Sequence, residues 1–562
     1  MRYFHVLKTD GHQPDPEFEE IDIVDGDLRR RIKEITGIEP GRLSTVDRSE
    51  QQDTLVNCLY TRLCRGDDPS DEGDPRVKGL LQTVDRVFRE EHTEADSLFA
   101  RGHVSERHLP KLFRPGDFIV STTEGHPRAY MINDWPKLRS GSLVLPCFTW
   151  SFDGQFYRET KNILLGWEFG DRDLPVTKLG VYPLSFDPGI RERLLRRGSV
   201  FWRCRTRRFV SYLSSHSAVQ AQTPRYMVDA KTFQHVHSTD ELIGREYLSE
   251  EAHAKELPPD DEFQLLLPAT VPGFGFHDKK RISLSVEGIR EIEWNSEAFK
   301  HLVLKSTKKE LIRALVAKHT ASSDLSDVIQ GKGNGLILLL HGGPGTGKTL
   351  TAESVAELTR KPLYRVTCGD IGTNAEDVER YLESILYLGA TWQCVVLLDE
   401  ADVFLEERTQ QDLQRNALVS VFLRVLEYYS GILVLTSNRI GTLDEAFKSR
   451  VQLTLHYPPL DESSRRRIWS NFITRLQHTS PETKADQILE NIDKLAKFQL
   501  NGREIRNSIQ TAVVLAEFRG QPLQYSHLVD VIDVSNEFEQ YLTDIHGHTA
   551  SEWASSQRFR ID

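Results

Sequence analysis

Apolar positions along this chain shift from one periodicity to another, and the shifts outline its elements. From Val77 to Phe99 they recur at helical spacing, with Leu80, Leu81, Val84, Val87 and Phe88 on one side, which predicts a helix. From about residue 110 the pattern turns to short β-rich runs: Phe118-Ile119-Val120, Leu143-Val144-Leu145, Phe148-Thr149-Trp150 and Leu164-Leu165-Gly166-Trp167. Turn signals at Pro115-Gly116, Asp153-Gly154 and Asp187-Pro188-Gly189 separate them, which predicts a compact all-β or α+β domain ending near residue 215. Residues 216 to about 290, broken by Pro258-Pro259 and Pro272-Gly273, read as a connecting region. Glu310 to Ala317 is a short amphipathic helix. Beyond it, Leu336–Leu340, Cys394–Leu398 and Ile432–Ser437 are continuous apolar runs of strand length. The last pattern is helical again. Asp461 is placed to cap a helix carrying Ile468, Trp469, Phe472, Ile473 and Leu476, and Arg503 to Leu515 predicts a second.

These runs divide the chain into a poorly patterned region with an acidic linker (1–105), a β-rich accessory domain with its connecting region (106–290), an α/β core (291–458), a helical bundle (459–540) and a tail (541–562). The linker, Arg65 to Pro75, is too charged and too rich in Gly and Pro to pack. Composition adds bounds. The chain has 562 residues, 39% hydrophobic and 27% charged, which is ordinary for a soluble protein of several domains. A net charge of −12 argues against a general polyanion binder. Six scattered cysteines without metal-ligand spacing suggest reduced thiols and an intracellular setting, cytoplasmic or nuclear. The first residues lack the apolar core of a signal peptide, and no apolar run approaches a membrane span.

Candidate chemistry concentrates after Leu340. Gly342-Gly343-Pro344-Gly345-Thr346-Gly347-Lys348-Thr349 fits G-x-x-x-x-G-K-[ST], follows a strand and opens a helix at Leu350. Glycines there let backbone N–H groups converge on phosphate oxygens, and the helix adds the positive end of its dipole. Lys348 is placed to reach the β- and γ-phosphates, and Thr349 to offer its hydroxyl to Mg2+. Val395 to Leu398 then delivers Asp399 and Glu400 to the C-terminal edge of a buried strand. Asp399 suits a metal, and Glu400 an attacking water; an acidic pair at a helix start is the plainer alternative. Asn438 ends the third apolar strand, either as an amide orienting water or as a turn former. Elsewhere, Arg196, Arg197, Arg203, Arg205, Arg207 and Arg208 surround Phe201 and Trp202. Such a cluster can grip single-stranded nucleic acid or an acidic protein surface, or can be the solvated face of an edge strand.

In this order the phosphate loop, Leu397-Leu398-Asp399-Glu400-Ala401-Asp402, Thr436-Ser437-Asn438-Arg439 and Leu443 to Arg450 resemble the AAA+ ATPase module, over roughly residues 295–540. More narrowly, Pro272-Gly273-Phe274, Ile292-Glu293-Trp294-Asn295, Gly369-Asp370-Ile371-Gly372 and Arg415 to Tyr429 resemble fungal AAA-family proteins with a β-rich N-terminal domain and a single module. The resemblance implies ATP hydrolysis with Mg2+, a homo-oligomer such as a hexamer, and a protein client. It puts Asn438 at the sensor-1 position, Arg450 where a neighbouring subunit's arginine finger originates, Arg503 at sensor 2 and Asp327-Val328-Ile329 beside adenine. Two departures stand out. Asp370-Ile371 replaces the aromatic pair of a polypeptide-gripping pore loop, and Phe447 stands where many relatives carry a first finger arginine. An ATP-controlled scaffold that seldom hydrolyses, and a nucleic-acid-stimulated ATPase, stay open as alternatives.

Overall fold

Five parallel strands make the sheet around which the second half of the chain is built. The computed structural model describes residues 2–7, 16–36, 38–44, 49–65, 75–123, 125–139, 141–167, 169–170, 172–213, 223–232, 245–321, 335–371, 374–408, 412–439, 443–479, 484–548 and 550–557. The chain divides into two units, residues 1–275 with 280–291, and residues 276–279 with 292–562.

In the second unit the strands are β1 (Leu336–Gly342), β2 (Leu363–Thr367), β3 (Val395–Asp399), β4 (Ile432–Ser437) and β5 (Leu453–Tyr457). They pair in parallel in the order β2-β3-β4-β1-β5. Every residue of β3 and β4 is buried, which is why those segments read as unbroken apolar runs rather than as alternation. Helices α1 (Lys348–Thr359), α2 (Ala375–Thr391) and α3 (Leu413–Glu427) follow β1, β2 and β3 in sequence. Leu338, Leu340, Val355, Leu397 and Val434 meet in the core between sheet and α1. With all strands parallel, β1, β3 and β4 end on the same edge, where open α/β sheets hold ligands.

A helical bundle follows. Its long helices are α4 (Glu462–Thr479), α5 (Gly502–Phe518) and α6 (Tyr525–His546). Asp461 caps α4, accepting the Ser464 N–H at 2.8 Å. Trp469, Ile473, Leu495, Ile505 and Leu528 form its separate core.

The first unit holds more regular structure than its polar sequence suggests. Arg2–Leu7, Pro16–Asp22 and Arg42–Ser44 form an antiparallel sheet. Ile21, Leu43, Val56, Leu80 and Val84 pack together in a core there. The helix expected from Val77 to Phe99 is two helices, Pro75–Val87 and Arg89–Ala100. A six-stranded sheet is organised on the long hairpin Ser142–Phe152 and Phe156–Gly166. Within the stretch read as a connecting region, the described residues include strands. Arg225–Val228, Thr270–Gly275, Arg281–Ser285 and Ile289–Arg290 complete one antiparallel sheet with Arg208–Tyr212. Pro272-Gly273 lies within a strand, opposite Ser283 and Ile282, and a Cβ on Gly273 would overlap Leu284. A pair that signals a turn in sequence here permits close side-chain packing instead.

The arginine cluster lies on a helix and on the start of the strand that follows it. Pro188–Arg203 is a helix, and Phe201 and Trp202 are 1% exposed, so neither ring is available to stack on a base. Arg197 is buried, donates to the Pro127 and Leu267 carbonyls, and is lowered by burial to about 10. Arg205 lies 4.2 Å from the Trp202 ring centroid and donates to the His253 and Lys255 carbonyls. Arg203 and Arg208 pair with Glu291, and Arg196 with Glu192. Arg197 and Arg205 thus serve the fold, while Arg196, Arg203 and Arg207 are exposed. Among the described residues no helix is long and apolar enough to cross a membrane. Cys58, Cys147, Cys204 and Cys394 are buried free thiols.

Trp469 is fully buried at the centre of the helical bundle. Trp469→Ala should cost about 3–5 kcal/mol through lost contacts and a cavity. The check is a denaturant midpoint for the bundle, where an unchanged value would show that its core lies elsewhere.

Candidate nucleotide site

Glycine makes the loop after β1 possible at two positions of different kinds. At Gly342 (φ +144°) a Cβ would overlap the Tyr457 carbonyl, because β5 passes directly alongside. At Gly345 (φ +70°) a Cβ would overlap the Asn501 side chain, because the start of α5 rests on the loop. Gly502 N–H donates to the Gly345 carbonyl at 2.9 Å. Asn501 and Glu504 form a reciprocal capping box that holds this helix start in place.

Lys348 begins α1, is 8% exposed, and sends its ammonium back over the loop. It donates to the carbonyls of Gly342 (2.9 Å) and Gly343 (2.7 Å) and to Asn438 Oδ1 (2.9 Å). Thr346 closes the loop with a bond to the Gly343 carbonyl at 2.8 Å. Thr349 donates to Asp399, 3.1 Å from Oδ1 and 3.3 Å from Oδ2. Lys348, Thr349, Asp399 and Asn438 thus converge on one edge of the sheet from β1, β3, β4 and α1. Pro344 and Leu350 are exposed beside them.

Glu400 follows Asp399 with φ +59°, the left-handed region that costs a side-chain-bearing residue about 1–2 kcal/mol. That turn directs the chain out of the sheet and leaves the Glu400 carboxylate exposed next to the buried Asp399. Thr436 holds it. Its hydroxyl accepts the Glu400 N–H at 2.9 Å and donates to Asp399 Oδ1 at 2.7 Å, while its carbonyl accepts the Ala401 N–H at 2.9 Å. Asp402 returns the constraint: its Oδ1 accepts from Ser437 Oγ at 2.6 Å and from the Asn438 N–H at 3.0 Å. Thr436 and Asp402 were visible in sequence only as members of longer runs. Their roles depend on the parallel register that puts Leu398 opposite Leu435 and carries Thr436 to Asp399.

The remaining sequence candidates lie in three places. Arg503 is exposed one residue beyond the Gly502–Gly345 bond, and its backbone N–H donates to Asn501 Oδ1. Arg450 precedes β5 at the opposite edge of the sheet. Leu338 pairs with Leu453 and Gly342 with Tyr457, so Arg450 is removed from its own phosphate loop by more than the length of β5, upward of about 15 Å at 3.3 Å per residue. It is 27% exposed, donates to the Ala446 carbonyl at 2.9 Å and pairs with Glu427 at 3.4 Å. Phe447 is fully buried against Phe422, so that position belongs to the core. Asp327 and Val328 lie outside the described residues. In the stretch compared with a pore loop, Asp370 accepts from the Thr367 N–H and hydroxyl, each at 2.8 Å, and pairs with Lys279. Gly372 and Thr373 lie outside the described residues.

The residues present fit a phosphate-bound Mg2+. Thr349 and Asp399 supply hard oxygen donors beside the loop. Among the described residues no group of three or more His, Cys, Asp or Glu forms a protein-only cage, so phosphate and water oxygens would complete the shell.

Comparisons with known proteins agree with this geometry. Residues 338–459 match the model of the ATPase family associated with various cellular activities (AAA), and residues 460–549 that of the fungal AAA+ ATPase lid domain. Residues 94–188 match a domain of unknown function, DUF7025. The chain is similar to the 26S proteasome regulatory subunit 4 homolog of Oryza sativa subsp. japonica, 27% identical over 34% of this chain and 44% of the relative. It is also similar to Fidgetin-like protein 1 of Drosophila melanogaster (26%; 28% of this chain, 32% of the relative). A third relative is ATPase family AAA domain-containing protein 3B of Homo sapiens (30%; 23% of this chain, 21% of the relative). The chain spans less than half the length of each of these curated relatives. Residues 338–549 are an AAA ATPase module with a fungal-type lid, preceded by a β-rich N-terminal region.

His341, immediately before the loop, stacks on His456 with ring centroids 5.0 Å apart. Burial pushes its imidazole from 6.5 down to about 4, helped by His456, Lys308 and Lys348. The unfolded chain therefore takes up this proton first as pH falls. The stabilisation is complete above pH 6.5 and is lost as pH drops toward 4. Unfolding midpoints measured from pH 7 to pH 4 should fall more steeply for the wild type than for His341→Gln. Parallel slopes would exclude this imidazole as the cause.

Proposed function

We propose that this chain is a Mg2+-dependent ATPase that works as a closed homo-oligomer and remodels a protein or protein complex selected by its N-terminal unit. The observation that carries the reading is the convergence of the Lys348 ammonium, the Thr349 hydroxyl, the Asp399 carboxylate and the Asn438 amide at the carboxyl edge of β1, β3 and β4.

The amides of Gly343 to Lys348 and the α1 N-terminus cradle the phosphates. Lys348 exchanges its loop carbonyls for phosphate oxygens, so its ammonium is already in position when nucleotide arrives. Thr349 and Asp399 would hold Mg2+, which would supply neutralisation of phosphate charge. Glu400, thrust out by its left-handed backbone, accepts a proton from the attacking water, and Asn438 orients that water. Arg503 meets the phosphates from the lid side.

Arg450 cannot serve its own loop, because it stands at the far edge of the sheet. It acts on the nucleotide of a neighbouring subunit, set in place by Glu427. The site is therefore complete only at an interface, and a closed ring satisfies every copy. Phe447 is structural, which leaves Arg450 as the finger. Similarity to a 26S proteasome regulatory subunit 4 homolog supports a protein as the thing acted upon. With no aromatic residue from Val366 to Ile371, force reaches that client through lid movement rather than through an aromatic pore grip. The buried free thiols suit the cytoplasm or nucleus.

Two variants test the reading together. Glu400→Gln should bind ATP with near-normal affinity and release almost no phosphate. Arg450→Ala should bind ATP and turn over slower by a factor on the order of 10³. Mixing the two should restore measurable turnover, because some interfaces then combine an intact Glu400 with an intact Arg450. Normal turnover in Glu400→Gln would overturn the assigned base. A mixture no more active than its components would overturn the shared site.

A further inference from the structure

The Asp399 carboxylate has a donor that metal binding does not call for. Arg365 lies on β2, the edge strand beside β3, with Arg365 opposite Leu397 and Thr367 opposite Asp399. Residues of equal parity on paired strands share a face, so its side chain runs along the face of the sheet that carries Asp399. Arg365 Nη2 donates to Asp399 Oδ2 at 2.6 Å. Oδ1 takes the Thr436 hydroxyl at 2.7 Å and, with Oδ2, the Thr349 hydroxyl. The carboxylate is 9% exposed, whereas Arg365 is 51% exposed and has solvent to move into.

The partners of Asp399 are therefore of two kinds. Thr349 and Thr436 are neutral, and both fit a carboxylate that also serves a divalent cation. Arg365 is a full positive charge on the oxygen such a cation would use. A guanidinium and a cation cannot both take that oxygen at close range, because like charges at such separation repel strongly. Glu353, on α1 one turn beyond Thr349, feels the charges of both Arg365 and Asp399.

Resting on the ATPase reading above, we propose that Arg365 is a built-in competitor for the metal: its guanidinium holds Asp399 until Mg2+ displaces it toward solvent. Metal loading then costs the breaking of one half-exposed ion pair. The consequence is a lowered metal affinity, so that the site charges only when Mg2+ arrives in quantity with nucleotide. Such a pair belongs to this chain's own β2 and needs no neighbouring subunit.

Mn2+ binding in the presence of saturating ADP, read by electron paramagnetic resonance, tests this without relying on turnover. Arg365→Gln should bind Mn2+ about three- to tenfold more tightly than the wild type, the range expected for loss of a charge-assisted bond that is half exposed. Arg365→Lys keeps the charge and should stay within about twofold. Arg506→Gln removes a lid cation whose charge reaches Glu353 but which does not bond Asp399, and should leave Mn2+ affinity within about twofold of the wild type. Equal or weaker Mn2+ binding in Arg365→Gln would overturn the proposal and make Arg365 a support for the site. An equal gain in Arg506→Gln would also overturn it, reducing the effect to net charge. Failure of ADP to bind the wild type would instead strike the nucleotide reading itself.

Discussion

A single buried hydroxyl organises the chemical edge of this protein. Thr436 at the end of β4 donates to the Asp399 carboxylate and accepts from the Glu400 backbone. Two constraints meet there. Asp399 is an ionisable group inside a sheet of Leu, Ile and Val, where an unpartnered carboxylate is expensive. Glu400 is a side-chain-bearing residue in left-handed backbone, which persists only where its surroundings over-determine it. The threonine offsets both costs. The arrangement follows from the sheet order, since only β4 beside β3 in parallel register brings residue 436 to residue 399. Asp402 closes the circuit by gripping the turn that presents Asn438.

The second organising contact joins loop and lid. Gly345 can approach Asn501 only because it lacks a Cβ, and the Gly502–Gly345 bond makes the start of α5 part of the phosphate loop's wall. The lid has its own core around Trp469, separate from that of the sheet. A ligand that draws the loop amides inward therefore also pulls on α5. In the proposed reading, this contact carries a change in charge at the phosphates to the lid.

Local features were legible in the sequence, and features set by register were not. The strand, glycine loop and helix from Leu336 to Thr359 could be read directly, because each residue's neighbours in space are its neighbours in sequence. The lid helices were legible for the same reason, through Asp461 and the spacing of Trp469 and Ile473. Thr436 and Arg365 were not, because their partner lies over thirty positions away. Pro272-Gly273 misled because a pair usually found in turns sits inside a strand. The arginines near Trp202 misled because sequence does not reveal that their aromatic neighbours face inward. The small core of Ile21, Leu43 and Val84 was hidden by the polarity of the sequence around it.

The central claim is that Thr436 fixes Asp399 and Glu400 for hydrolysis. Steady-state turnover of Thr436→Val, set beside its ATP affinity, tests it most directly. Valine preserves shape and burial but can neither accept the Glu400 N–H nor donate to Asp399. The account predicts that turnover falls at least about tenfold, equivalent to about 1.4 kcal/mol of barrier. ATP affinity should stay within about twofold, and Thr436→Ser should recover most of the rate. Wild-type turnover in Thr436→Val would contradict it.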